Sequence, residues 1–113
     1  MILVVGGSGN GKLDYVKSLG YGDDQIDDGK VGDRPVVYNL QDIVAADTEA
    51  APTLFDELVA KEVVVCDEVG SGVIPATHEG REAREQTGRL CVRLAREATE
   101  VVRVVMGIPT RIK

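Results

Sequence analysis

The sequence of 113 residues contains few aromatic side chains, one histidine and two cysteines. With one Phe, three Tyr and no Trp, the hydrophobic core must be built from Val, Ile, Leu and Ala. A single histidine, His78, excludes a metal cluster built from histidines. Cys66 and Cys91 lack the paired spacing of a zinc site. We therefore expect both cysteines to be buried thiols in a reducing compartment.

Long hydrophobic runs and an excess of basic residues are also missing. No segment approaches the roughly 20 apolar residues that cross a bilayer. The N-terminus lacks the basic region of a signal peptide, so we expect a cytoplasmic chain without a membrane span. The net charge of −6 argues against general binding to nucleic acids, which requires a basic face. The length predicts a single domain over residues 1–113.

Short apolar runs alternate with helical patterns along the chain. Runs rich in β-branched residues predict strands at 2–5, 35–40, 63–66 and 100–106. The patterns between them predict helices over 13–19, 47–60 and 80–99. The acidic, glycine-rich segment 21–34 and residues 109–113 are expected to form a loop and a tail. This order predicts an α/β three-layer sandwich with a mainly parallel sheet of about four strands.

A glycine-rich segment follows the first predicted strand and fits the G-x-x-x-x-G-K pattern of a P-loop. The fold is therefore expected to be of the P-loop type, with the phosphates of a nucleotide held by backbone N–H groups and a lysine. A chance match is the alternative, since 13 glycines make one easier, but the position between a strand and a helix favours phosphate binding. The predicted phosphate-binding residues are Gly6, Gly7, Ser8, Gly9, Asn10, Gly11 and Lys12, and Lys12 is also expected to act in catalysis.

The residue after the lysine departs from the P-loop pattern. The pattern has Ser or Thr there, whose hydroxyl binds Mg²⁺, but this chain has Leu13, which cannot ligate a metal. Asp67 and Glu68 end the third predicted strand, next to the P-loop. We expect Asp67 to hold a hydrated Mg²⁺ and Glu68 to orient a nucleophile in catalysis, the alternative being a solvated strand end.

Two arginines begin the longest predicted helix. Arg81 and Arg84 lie in its first turns, near the edge of the sheet where ligands bind, so we expect them to contact phosphate. The alternative is an ion pair with Glu82, Glu85 or Asp67.

The second half of the chain resembles a known family. The string Glu68-Val69-Gly70-Ser71-Gly72-Val73-Ile74-Pro75, with Arg81, Arg84, Gly88-Arg89 and the strand at 100–105, is similar to the C-terminal half of the bifunctional adenosylcobinamide kinase / adenosylcobinamide-phosphate guanylyltransferases. The first strand and glycine-rich segment are similar to the start of that family. The family has a P-loop α/β fold, phosphorylates adenosylcobinamide and then transfers GMP through a guanylylated histidine.

The resemblance implies ATP or GTP as the nucleotide, possible Mg²⁺, and a corrinoid, adenosylcobinamide, as partner. It also implies a possible homo-oligomer, and a substrate loop formed by Glu68, Gly70, Gly72 and Pro75. No histidine precedes His78, so the guanylyltransferase half is expected to be lost. Two other functions stay open: a non-catalytic nucleotide- or anion-binding module, and a small P-loop kinase for another hydroxyl acceptor.

Overall fold

The computed structural model describes residues 1–68 and 75–113, in which a sheet lies between two layers of helices. Two short 3₁₀ turns, at Asp23–Gln25 and Thr48–Leu54, complete the described elements. In chain order the strands and helices are β1 (Ile2–Gly6), α1 (Lys12–Ser18), β2 (Ile26–Asp28), β3 (Val36–Tyr38), α2 (Leu40–Ala46), α3 (Phe55–Val59), β4 (Val63–Asp67), α4 (His78–Glu97), β5 (Glu100–Val105) and β6 (Ile108–Arg111).

The sheet has the strand order β2-β3-β4-β1-β5-β6, and its described pairs are parallel except for β5 with β6. The predicted α/β sandwich with a mainly parallel sheet is therefore confirmed. β1 lies between β4 and β5, and its last residue, Gly6, stands opposite Asp67 at the end of β4. This register brings the segment after β1 and the segment after β4 to the same edge of the sheet.

The prediction of a loop over residues 21–34 is wrong for its middle part. Ile26–Asp28 forms β2, which pairs with β3 along the edge of the sheet. Ile26 and Asp27 are buried, and the Asp27 carboxylate accepts a hydrogen bond from the Arg34 amide at 3.2 Å. An acidic segment without periodicity can thus form a strand, because its buried charge is satisfied locally.

The prediction of a tail after residue 108 is also wrong. Met106 and Gly107 both adopt positive φ, at 49° and 75°, and form a tight turn that lets Ile108–Arg111 pair with β5 as an antiparallel hairpin. A glycine supplies one of the two left-handed positions, but a methionine at the other gives no sequence signal of such a turn.

The predicted helix over 47–60 is divided. This range holds the 3₁₀ turn Thr48–Leu54, which contains Pro52, and then α3. The helix before it, α2 at Leu40–Ala46, was missed in the sequence. Proline has no N–H to continue an α-helical ladder, and the Asp47 side chain accepts a hydrogen bond from the Ala50 amide at the start of the turn. The other predicted helices agree with α1 and α4 within two residues at each end.

Two hydrophobic clusters lie on the two faces of the sheet. One packs α2, α3 and α4 against Leu3, Val64 and Cys66, and the other packs α1 against Val4 and Val65. All four apolar residues of β4 are buried, as expected for a central parallel strand. Within the described residues no helix is long and apolar enough to cross a membrane.

The two cysteines are free thiols. Cys66 is buried in β4 as predicted, and Cys91 on α4 is half-buried against the same cluster. A hydrogen bond with the Cys91 thiol, together with burial, raises the pKa of the Cys66 thiol, so Cys66 stays protonated at neutral pH.

Candidate functional site

The glycine-rich segment is curled where β1 ends. The Asn10 amide donates a hydrogen bond to the Gly7 carbonyl at 3.3 Å, and Gly9 and Gly11 adopt positive φ of 76° and 91°. The amides of Ser8, Gly9 and Gly11 donate to no acceptor within the described part of the chain. The loop therefore has the turned backbone and the unused N–H groups that an anion requires.

Lys12, the last residue of the motif, folds back beneath this loop. Its ammonium donates to the Gly7 carbonyl at 2.7 Å and forms an ion pair with Asp67 Oδ1 at 2.8 Å. The Lys12 side chain is 3% exposed and that of Asp67 27%. A Cβ on Gly6 would lie 3.4 Å from Lys12 Cγ and Cδ and 2.5 Å from the Val104 carbonyl oxygen. The Val104 carbonyl therefore leaves no room for a side chain at Gly6, while the Lys12 methylene groups lie at ordinary contact distance.

A cleft of about 240 Å³ lies against the loop and the first turn of α1. Tyr38, at the end of β3, also lines this cleft. Burial raises the pKa of the Tyr38 hydroxyl, and the charges of Asp28, Asp67 and Asp42 add to the shift, so the phenol stays neutral at physiological pH. The cleft is lined by Gly9, Asn10, Gly11, Lys12, Leu13, Asp14 and Tyr38.

Asn10, one of the predicted phosphate ligands, fastens the loop to the β5–β6 turn. Its side-chain Oδ1 accepts a hydrogen bond from the Met106 amide at 3.0 Å, and its carbonyl accepts one from the Gly107 amide at 2.8 Å. At the same contact, a Cβ on Gly11 would lie 3.1 Å from Gly107 Cα. The hairpin missed in the sequence thus braces the loop from the side of β5.

Replacing Asn10 by alanine is expected to destabilise the protein by about 1 kcal/mol, because the Met106 amide loses its acceptor. Thermal unfolding followed by circular dichroism should show a midpoint lower by roughly 4 °C. Asn10→Asp keeps an acceptor oxygen at this position and is the matched control, with a smaller loss. An unchanged midpoint for Asn10→Ala would show that the hairpin does not depend on this bond.

Glu68, the predicted catalytic carboxylate, is bound by an arginine of β5. Arg103 Nε and a terminal nitrogen donate to the two oxygens of Glu68 at 2.5 and 3.1 Å. This bidentate bond raises the pKa of the Arg103 guanidinium. Arg103 was missed in the sequence, although it is the only charged residue within the apolar run 101–105.

The two predicted arginines of α4 lie apart from the cleft. Arg81 donates hydrogen bonds to the carbonyls of Pro75 and Ala76 at 3.3 Å, so its side chain contacts the backbone just before α4. Neither Arg81 nor Arg84 lines the cleft of the glycine-rich loop. Gly70 and Gly72 of the predicted substrate loop lie outside the described residues, between Glu68 and Pro75.

One residue that supports the site was missed in the sequence. The side-chain oxygen of Gln41, in the first turn of α2, accepts a hydrogen bond from the Asp67 amide at 2.9 Å. Its Nε2 donates to the Asn39 side chain at 3.0 Å, and Asn39 in turn donates to Asp28 at 2.8 Å. This chain of bonds holds the end of β4, and Asp67 with it, against the ends of β2 and β3.

Comparisons with known proteins agree with the resemblance read from the motifs. The sequence matches the cobinamide kinase / cobinamide phosphate guanyltransferase family over residues 23–112. The chain belongs to this family. A bifunctional adenosylcobalamin biosynthesis protein of Salmonella typhimurium LT2 is 46% identical over 54 residues, which is 48% of this chain and 30% of that protein. The protein of the same name from Escherichia coli K12 is 34% identical over 74 residues, 66% of this chain and 41% of that protein.

This member of the cobinamide kinase family therefore spans less than half the length of the two relatives. The family match begins at Asp23, after the glycine-rich loop, and includes β4, α4 and the β5–β6 hairpin. The interpretation of Gly6–Lys12 as a P-loop consequently depends on its own pattern and geometry rather than on the match.

The side chains near the glycine-rich loop show which residues could bind Mg²⁺. Among the described residues no group of three or more His, Cys, Asp or Glu side chains could hold a metal ion, and Leu13 contributes no donor. Mg²⁺ commonly uses one or two protein carboxylates together with nucleotide phosphates and water. Asp67 fits the role of such a carboxylate, provided that Lys12 leaves it.

Proposed function

We propose that residues 1–113 form a nucleotide-binding domain that takes ATP or GTP at the glycine-rich loop and acts as a cobinamide kinase. The observation that carries the proposal is the pairing of a curled loop, rich in unused amides, with a buried lysine at its end. Membership in the cobinamide kinase family supports the choice of reaction.

In this proposal the chain contributes positioning and charge to phosphoryl transfer. The amides of Ser8, Gly9 and Gly11 would bind phosphate oxygens, and the Lys12 ammonium would neutralise the charge that develops on the transferred group. Mg²⁺, when bound, would supply further neutralisation of the phosphates.

Asp67 would hold that ion, and Glu68, oriented by Arg103, would direct the acceptor hydroxyl toward the nucleotide. The phosphate contacts of Arg81 and Arg84 and the substrate loop around Gly70, Gly72 and Pro75 belong to the same proposal.

Transfer of GMP is not part of the proposed activity. The only histidine of these 113 residues, His78, is the first residue of α4 and lines a separate cleft with Asp47, Glu49 and Glu82. It does not line the cleft of the glycine-rich loop. We infer that this chain makes no guanylylated histidine next to the nucleotide.

Isothermal titration with ATP and GTP, followed by a transfer assay with labelled ATP and adenosylcobinamide, tests the proposal. We expect binding with a Kd below about 1 mM and transfer of label to the corrinoid. If neither nucleotide binds with Mg²⁺ present, the proposal fails.

The second candidate is a module that binds nucleotide without turnover. Leu13 favours it, because the chain lacks the hydroxyl that normally positions Mg²⁺ next to the loop. The same two measurements separate the candidates: binding with label found on adenosylcobinamide supports the kinase, and binding with no label on it supports the module. Label found on a different hydroxyl compound would identify a kinase for another acceptor.

A further inference from the structure

We propose that Asp67 acts as a latch on Lys12, holding the lysine away from the phosphates so that a nucleotide must break this ion pair to bind. The inference rests on the proposed function, since it concerns how that site is regulated. It begins from the position of the Lys12 ammonium, which donates at 2.7 Å to the Gly7 carbonyl and lies 2.8 Å from Asp67 Oδ1. An ammonium has three donors, and two of them are used inside the protein.

The lysine side of this pair is buried, and the Asp67 side chain is 27% exposed. The Lys12 side chain is 3% exposed, so solvent ions screen the attraction weakly. In the described part of the chain Lys12 forms an ion pair with no other carboxylate. Glu68, the next residue after Asp67, forms an ion pair with Arg103 instead. The latch is thus a pair of one ammonium and one carboxylate.

The backbone of Asp67 is held by contacts that do not involve Lys12. Its amide donates to Gln41 at 2.9 Å, and β4 is paired in register with β1 up to Gly6 and Asp67. A phosphate that draws the ammonium away therefore leaves a carboxylate behind without its partner. The free energy of leaving this carboxylate unpaired weakens phosphate binding, as in any protein whose binding-competent conformation is a minor one.

The latch predicts that removing the charge of Asp67, next to the proposed nucleotide site, strengthens nucleotide binding. Asp67→Asn removes the charge that holds Lys12 and keeps both the shape of the side chain and the backbone bond to Gln41. We expect Asp67→Asn to bind ATP, GTP and inorganic triphosphate about ten-fold or more tighter than the unchanged protein, in EDTA and at low ionic strength. Asp67→Ser, which is also uncharged, is the second variant in case the first does not fold.

A matched control separates the latch from simple charge repulsion. Asp14 lines the cleft of the glycine-rich loop and forms no ion pair with Lys12. Asp14→Asn removes an equal charge, and we expect a gain of at most about two-fold. In a Lys12→Met background the gain from Asp67→Asn should also fall to about two-fold, because no lysine remains to be released. Equal gains for Asp67→Asn and Asp14→Asn, or weaker binding by Asp67→Asn, would overturn the latch.

A measurement without any ligand completes the test. A double-mutant cycle of Lys12→Met and Asp67→Asn, followed by urea unfolding, should show a coupling of about ten-fold or more in the unfolding equilibrium constant. Coupling below about two-fold would remove the latch while leaving the proposed function intact, provided that the unchanged protein binds ATP or GTP with Mg²⁺. Absence of binding by the unchanged protein and by every variant, with and without Mg²⁺, would refute the proposed function and the latch together.

Discussion

Replacing Lys12 by methionine is expected to weaken the binding of ATP or GTP about 100-fold. The substitution keeps most of the apolar volume of the side chain under Gly6 and removes the ammonium. Charge-assisted hydrogen bonds contribute about 1.5–3 kcal/mol each, so losing the contact between the ammonium and phosphate accounts for a change of this size. Isothermal titration at constant ionic strength measures the change.

Lys17→Met is the matched control for this prediction. Lys17 lies on the same helix and is paired with Asp23, but its side chain is 42% exposed and does not line the cleft. We expect the affinity of Lys17→Met for ATP or GTP to stay within about two-fold of that of the unchanged protein. If Lys12→Met bound nucleotide as tightly as Lys17→Met, the glycine-rich loop would not be the phosphate site.

Replacing Leu94 by alanine is expected to lower the free energy of unfolding by about 2–5 kcal/mol. Leu94 is fully buried on α4 and belongs to the cluster that packs this helix against the sheet. The substitution removes apolar contacts and leaves a cavity that the parallel sheet cannot easily close. Urea unfolding followed by circular dichroism gives the free energy directly.

Val92, on the exposed side of the same helix, provides the control for Leu94. It is 52% exposed, and Val92→Ala should change the free energy of unfolding by less than about 0.5 kcal/mol. A loss for Leu94→Ala as small as that of Val92→Ala would mean that α4 is not packed as described. The result would then also place the neighbouring Cys66 and Cys91 outside a well-ordered core.

The location of the site could be predicted from the sequence, but most of the contacts within it could not. The glycine pattern and the end of a buried strand placed Lys12 and Asp67 at one edge of the sheet, and the structure brings them to 2.8 Å. The roles of neighbouring residues were less predictable. Asn10 braces the β5–β6 turn, which belongs to a hairpin that the sequence did not reveal. Glu68 is bound by Arg103, and this contact depends on β4 and β5 lying on either side of β1.

Two errors in the predicted fold concern short strands at the edges of the sheet. The strands β2 and β6 have three and four residues and lie at the two ends of the sheet. Two of the three residues of β2 are acidic and all four residues of β6 are exposed, so neither the apolar run of a central strand nor a clear alternation marks them. They become strands because a neighbouring strand offers hydrogen bonds along its open edge.

The local sequence pattern alone determined the parallel α/β architecture. The four central strands are marked by apolar runs, and the helices α1 and α4 are marked by helical periodicity. The local pattern also determined the glycine-rich turn, because only a few residue types allow such a backbone. The partners of Lys12, Asn10 and Glu68 were decided by the tertiary structure, since they depend on which strands become neighbours. Strand order arises from the packing of the whole chain, and residues far apart in sequence meet only once that packing is complete.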